Sequence, residues 1–218
     1  MIRNILLHGG DNYSIGKIVC VGRNYAEHAR ELGNEIPENP ILFLKPPSAL
    51  IFNGGEVIYP GFSGNMHHEV ELVLLLGKDL SNTSIDEARA GIAGYAVGLD
   101  MTLRDLQDEA KAKGKPWTVA KGFDTSAAVS EFIPASAADD ILSREISLKI
   151  NGTVKQKALL GTMIFPPEYL VWYISTKMKL EAGDLIYTGT PKGVGPVQKG
   201  DVLTAEIEGI DTLEVSVV

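Results

Sequence analysis

The sequence predicts a β-rich α+β fold. Short apolar runs closed by glycine, proline or Asn-Gly turns recur along the chain, helical spacing is confined to a few segments, and no repeat or Ser-rich linker marks a boundary. One domain over residues 1–218 is therefore expected, with 1–16 as a lead-in and the core motifs from about Lys17. At 44% hydrophobic and 22% charged residues the 218-residue chain has a globular composition, which excludes disorder and fibrous repeats. Its formal net charge of -8 disfavours nucleic acid as a partner. No stretch reaches the roughly 20 apolar residues of a membrane helix. Residues 1–10 lack the apolar core of a signal peptide, so a soluble, cytoplasmic protein with no membrane partner is expected. Cys20 is the single cysteine, which forbids an intramolecular disulfide and fits a reducing compartment.

Residues 18–21 read as a strand ending at Gly22, and 23–32 follow with helical spacing up to Gly33. Residues 34–40 carry two prolines among polar side chains, so they read as an irregular, mobile lid. Segments 41–45 and 56–59 read as strands, the second after the Asn53-Gly54-Gly55 turn, and 67–76 is the strongest strand signal. Helical spacing returns at 85–93, strand character at 95–99, and helical spacing again at 102–113 before Gly114. Segments 146–150 and 153–155 flank Asn151-Gly152, a pair that tolerates the positive φ angles of a type I′ hairpin turn. A last helix is expected over 167–178, and short strands then alternate with turns at Gly183, Gly189, Gly200 and Gly209.

Side chains alternate along a strand, so His67, Glu69, Glu71, Val73 and Leu75 share one face of the 67–76 segment. Two carboxylates about 7 Å apart on a half-buried face repel unless a cation or hydrogen-bond donors neutralise them. Asp100, at the end of the 95–99 strand, can reach the same site, and three carboxylates suit the hard ions Mg²⁺ or Mn²⁺. The alternative is a solvated acidic strand face. His28 and Glu31 lie at i and i+3, where the carboxylate can orient the imidazole as a general base; a surface pair is the alternative. Arg104 and Gln107, also at i and i+3, follow Asp100 and can face the same site, where Arg104 can hold a substrate carboxylate. Lys121 interrupts an apolar stretch and can hold a carboxylate or enolate oxygen, and for each of these charges a solvated role is the alternative. The segment Thr188-Gly189-Thr190-Pro191-Lys192-Gly193-Val194-Gly195-Pro196 resembles an anion-binding loop, but it lacks the Gly-Lys-Ser/Thr order of a nucleotide-binding loop.

Taken together, Val19-Cys20-Val21-Gly22-Arg23-Asn24-Tyr25, Leu42-Phe43-Leu44-Lys45-Pro46, His67-His68-Glu69-Val70-Glu71-Leu72, Leu99-Asp100-Met101-Thr102-Leu103-Arg104-Asp105 and the 188–195 loop resemble the fumarylacetoacetate hydrolase family, in its order. The short single-domain branch that includes acylpyruvase and oxaloacetate decarboxylase is the most similar. The resemblance implies a mixed β-sandwich roll, a homodimer, and Mg²⁺ or Mn²⁺ held by Glu69, Glu71 and Asp100. It implies His28 and Glu31 as an acid–base dyad on a lid helix. It further implies Lys121 at the reacting centre, with Arg104, Gln107, Gly189 and Thr190 as substrate contacts and Arg23, Asn24 and Lys45 as outer ones. After Gln156 the chain departs from the family pattern, reading Lys157-Ala158-Leu159-Leu160-Gly161-Thr162.

The expected activity is metal-dependent carbon–carbon bond cleavage of a small 2-oxo acid through a metal-stabilised pyruvate enolate. Hydrolysis of a 2,4-dioxo acid and decarboxylation of oxaloacetate both fit. An isomerase or tautomerase acting on 2-hydroxy-diene-dioates is the nearest alternative, and a non-catalytic β-rich binding protein is the alternative of another class.

Overall fold

The structure, a computed structural model, describes residues 4–31, 33 and 35–218. Its centre is the apolar strand Val70–Leu76, every residue of which is buried. Burial of each large aliphatic side chain there contributes on the order of 1.5–3 kcal/mol. This strand lies inside a curled mixed sheet ordered Ile41–Lys45, Ile18–Gly22, Leu185–Tyr187, Val70–Leu76, Ile92–Asp100, Ala127–Val129 and Leu50–Phe52, with Ile133–Pro134 added beside Ile92–Asp100. Leu185–Tyr187 runs parallel to Ile18–Gly22, and Ala127–Val129 parallel to Leu50–Phe52; the other neighbours are antiparallel.

Period-two alternation sorts the side chains of this sheet into two cores. Val19, Val70, Leu72, Leu74, Val97 and Leu99 face a second sheet, which contributes Ile146, Leu148, Leu203, Ala205, Leu213 and Val215. That sheet is ordered Thr153–Leu159, Glu145–Ile150, Val202–Ile207, Asp211–Val217 and Glu56–Val57. Helix Pro167–Ser175 packs Leu170, Val171 and Ile174 on the same core. Cys20, Val73, Leu75, Ala96 and Tyr187 face the hollow of the curled sheet. Gly98 allows that hollow to close, because a Cβ there would stand 2.6 Å from Val73 Cγ2 and 2.8 Å from the Tyr187 ring.

Several elements depart from expectation. The 67–76 segment is not one strand: it breaks at Glu69, so that Met66–His68 joins Thr102–Leu103 and Gly195–Pro196 in a small sheet while Val70–Leu76 enters the large one. The first helix is Ala26–Glu31, not 23–32, because Arg23 adopts φ 60; Leu32 and Asn34 lie outside the described residues. Residues 35–40 form no regular element, as their two prolines require. The helix expected at 85–93 is Ile85–Arg89, started by a Ser84–Glu87 capping box, and the chain is already strand at Ile92. Thr102–Leu103 is strand and the helix proper is Arg104–Ala112, while the last helix stops at Ser175. The lead-in forms a hairpin, Asn4–Leu6 with Asn12–Ser14, that packs Ile5 and Leu7 into the hollow-side core. The Asn151-Gly152 turn has φ 48 and 78, as a type I′ hairpin needs.

Candidate active site

The carboxylates meet where the hollow of the curled sheet ends. Glu71 shares the inward face with Val73, Asp100 terminates the neighbouring strand, and the break at Glu69 turns that side chain toward both. One oxygen from each of Glu69, Glu71 and Asp100 lies within 4.8 Å of the others. They are 5%, 1% and 0% exposed, which removes the alternative of a solvated acidic face.

Buried like charges must be balanced. Lys121, on the short helix Thr118–Lys121, reaches Glu69 Oε2 and Asp100 Oδ2 at 2.7 Å each and Thr102 Oγ1 at 2.6 Å. Arg104 binds Glu69 and, at 2.6 Å, Gln107 Oε1. Lys45 stands 2.8 Å from Asp100 Oδ1 and donates to the Met101 and Lys121 carbonyls. Among the described residues Glu71 has a single hydrogen bond, from the Gly189 N–H at 2.7 Å. Burial pushes the Glu69 carboxyl up, but Lys121 and Arg104 outweigh it and hold the group well below the usual range. Burial also raises Glu71, and there Asp100 and Glu69 add to the shift. Lys121 is desolvated, yet Asp100 and Glu69 keep its ammonium charged above the ordinary range.

This donor set fits a divalent cation on its own geometry. Three buried carboxylates converge, and among the described residues Glu71 forms no ion pair and Asp100 Oδ1 makes no hydrogen bond of acceptable angle despite its nearness to Lys45.

Above the carboxylates a pocket is lined by His28, Arg23, Arg104, Gln107, Lys121 and Thr190, together with Phe43, Lys111 and Trp117. His28 is buried, and desolvation lowers its pKa despite the pull of Glu69 and Glu31. Its Nδ1 lies 3.4 Å from Glu31 Oε2, and the Glu31 carboxylate also accepts the Gly193 N–H at 3.1 Å, tying the helix to the glycine loop.

Three expected contacts sit elsewhere. The Asn24 amide donates to the Phe165 and Thr188 carbonyls and accepts the Phe165 N–H, so it braces backbone behind the pocket. Lys45 is completely buried beneath Asp100. Gly189, at φ 98 and with a Cβ position 2.6 Å from Asn24 Cβ, gives its N–H to Glu71. In the glycine loop the backbone N–H groups of Gly189 and Gly193 are taken up by the protein's own Glu71 and Glu31 carboxyl groups. Phe43, Trp117 and Lys111 line the pocket without having been expected there, and of these Lys111 carries charge. It lies 5.8 Å over the Trp117 ring, and burial together with Arg104 and Arg23 lowers its pKa. The spacing Arg104, Gln107, Lys111 is one helical face and would have signalled it.

A curled mixed sheet whose hollow ends in buried carboxylates beneath a cation-lined pocket is a β-rich architecture of the α+β class. The chain belongs to the fumarylacetoacetate hydrolase family: residues 17–218 match its fumarylacetoacetate (FAA) hydrolase C-terminal model. It is 49% identical over 201 residues to the mitochondrial oxaloacetate tautomerase FAHD1 of Arabidopsis thaliana, covering 92% of this chain and 90% of that one. It is 49% identical over 197 residues to the mitochondrial oxaloacetate decarboxylase of Dictyostelium discoideum, covering 90% of each. The crystal structure of fumarylpyruvate hydrolase from Pseudomonas aeruginosa, in complex with Mn²⁺ and pyruvate, superposes with a TM-score of 0.95 at 38% identity, covering 100% of this chain and 96% of that one. The alternative of a non-catalytic binding protein is thereby set aside, since the family is one of enzymes.

Proposed function

We propose that the protein cleaves a carbon–carbon bond in a small 2-oxo acid, using Mg²⁺ or Mn²⁺ held by Glu69, Glu71 and Asp100. The observation that carries this reading is the convergence of three buried carboxylates beneath a pocket that also holds a buried histidine. The Dictyostelium relative, an oxaloacetate decarboxylase, and the Pseudomonas fumarylpyruvate hydrolase with Mn²⁺ and pyruvate support it. When bound, the cation supplies a Lewis acid for negative charge developing on the substrate's oxygens.

The chain's own residues do the rest. Arg104, Gln107 and Thr190 bind and orient the 2-oxo acid, and the charged Lys121 Nζ adds electrostatic stabilisation at its carboxylate end. His28, kept neutral by burial and oriented by Glu31, takes a proton from water as its oxygen bonds to the 4-carbonyl carbon of a 2,4-dioxo acid. The C3–C4 bond then breaks, its electron pair passes into the 2-oxo unit, and protonation at C3 releases pyruvate beside a carboxylic acid. Loss of CO₂ from oxaloacetate uses the same electron sink without water attack. Arg23 and Lys111 at the outer wall favour substrates with a second carboxylate, since neither is needed to balance the inner acids. Arg23 holds φ 60, a strained conformation for a non-glycine residue that functional sites often retain.

A second reading, enol–keto interconversion of oxaloacetate with His28 shuttling a proton, is favoured by the name of the Arabidopsis relative. A product assay on metal-stripped and metal-loaded protein separates the two, because tautomerisation releases no pyruvate. A homodimer belongs to the same proposal: Leu44 is exposed on the edge strand Ile41–Lys45, and a monomer in sedimentation velocity would overturn it.

A further inference from the structure

Gln156 lies on strand Thr153–Leu159 of the second sheet and is not among the pocket residues, yet it is 1% exposed and all four of its amide valences are filled. Its Oε1 accepts the Val70 N–H at 3.1 Å and His68 Nδ1 at 2.9 Å. Its Nε2 donates to the Pro191 carbonyl and to Thr190 Oγ1, both at 2.8 Å. The amide cannot be turned over, because a backbone N–H must meet its oxygen and a backbone carbonyl must meet its nitrogen. One consequence concerns Thr190, whose hydroxyl is forced to accept from Gln156. Among the described residues no protein acceptor takes the Thr190 proton, and the side chain lines the pocket. The other concerns the carboxylates: Val70 stands between Glu69 and Glu71, so the same amide pins the backbone that aims both.

We propose that Gln156 is a positioning residue that sets the polarity of Thr190, making its hydroxyl a donor to an anionic oxygen of the bound oxo acid while registering the Glu69–Glu71 backbone to the 188–193 loop. This rests on the 2-oxo-acid reading above. Gln156→Glu is nearly isosteric and keeps the acceptor for Val70 and His68. It replaces the donor to Thr190 with an acceptor, which turns the hydroxyl proton away from the pocket. Thr190→Val deletes the hydroxyl and leaves Gln156 in place, and Thr190→Ser restores it.

The test is calorimetric titration of pyruvate into the Mn²⁺-loaded protein, with thermal melting to verify folding of each variant. Thr190→Val and Gln156→Glu are each expected to weaken pyruvate by about tenfold, the size of one hydrogen bond to a charged acceptor. The double variant should lose no more than either single one, and Thr190→Ser should bind like the parent. Additive losses in the double variant, or unchanged binding by folded Gln156→Glu, would overturn the inference alone. A parent protein that binds no pyruvate with or without Mn²⁺ would overturn the proposed function and this inference with it.

Discussion

Lys45 Nζ stands 2.8 Å from Asp100 Oδ1, and both side chains are completely buried. The other Asp100 oxygen is held by Lys121 at 2.7 Å, so two lysines fix one candidate metal ligand from below and beside it. Neither charge is tolerable there without the other.

Lys45→Met leaves Asp100 with one counter-charge in a dry site. Breaking a buried pair by removing one partner costs about 3–5 kcal/mol, and because Lys121 persists the low end is expected, read from urea unfolding of the metal-stripped protein. A loss within experimental error would show that the pair is not needed.

Glu71 ties metal affinity to pH-dependent stability. Its folded pKa is raised, so above the unfolded carboxylate value of about 4.3 the folded chain keeps a proton that the unfolded chain has released. Stability of the metal-stripped protein from this group therefore declines as pH rises. Glu71→Gln removes the decline, so its stability advantage over the parent should grow as pH rises above the unfolded carboxylate value. The same variant should lose the stabilisation that Mn²⁺ confers on the parent, about 2.7 kcal/mol at a hundred times Kd. A constant difference across the pH range would contradict the assignment.

How much of this is legible in the sequence follows from what period-two alternation can carry. Glu69 and Glu71 at i and i+2 in an apolar run, with Asp100 closing another, are visible because buried acids have few physical explanations. The break at Glu69 is not visible, since alternation says which face a residue occupies but not which sheet its strand joins. The donors of the glycine loop are visible as such; that two of them serve Glu71 and Glu31 depends on contacts spanning 118 and 162 residues. Arg23 reads as helix because a positive φ leaves no mark on composition.

His28 should remain an unprotonated base below the ordinary imidazole pKa of about 6.5, because burial lowers its own value. The acid limb of kcat/KM is therefore expected below that pH. Glu31 raises the His28 pKa, so Glu31→Gln should move the limb further down and slow the reaction by about a hundredfold. An acid limb that moves upward in this variant would be inconsistent with the dyad.

At the outer wall, Lys111→Met should raise KM for oxaloacetate by about tenfold, as expected for a lost charge-assisted contact. KM for acetylpyruvate, which has no second carboxylate, should stay within about twofold of the parent. Equal effects on both substrates would place Lys111 outside the recognition of the distal group.

The most direct measurement is pyruvate release from oxaloacetate and from acetylpyruvate by metal-stripped protein, with and without Mn²⁺ or Mg²⁺, beside Glu69→Ala. Release that requires the metal and is abolished in Glu69→Ala is the expected result. Absence of release from both substrates, with metal-accelerated enol–keto interconversion of oxaloacetate in its place, would contradict bond cleavage and leave the site a tautomerase.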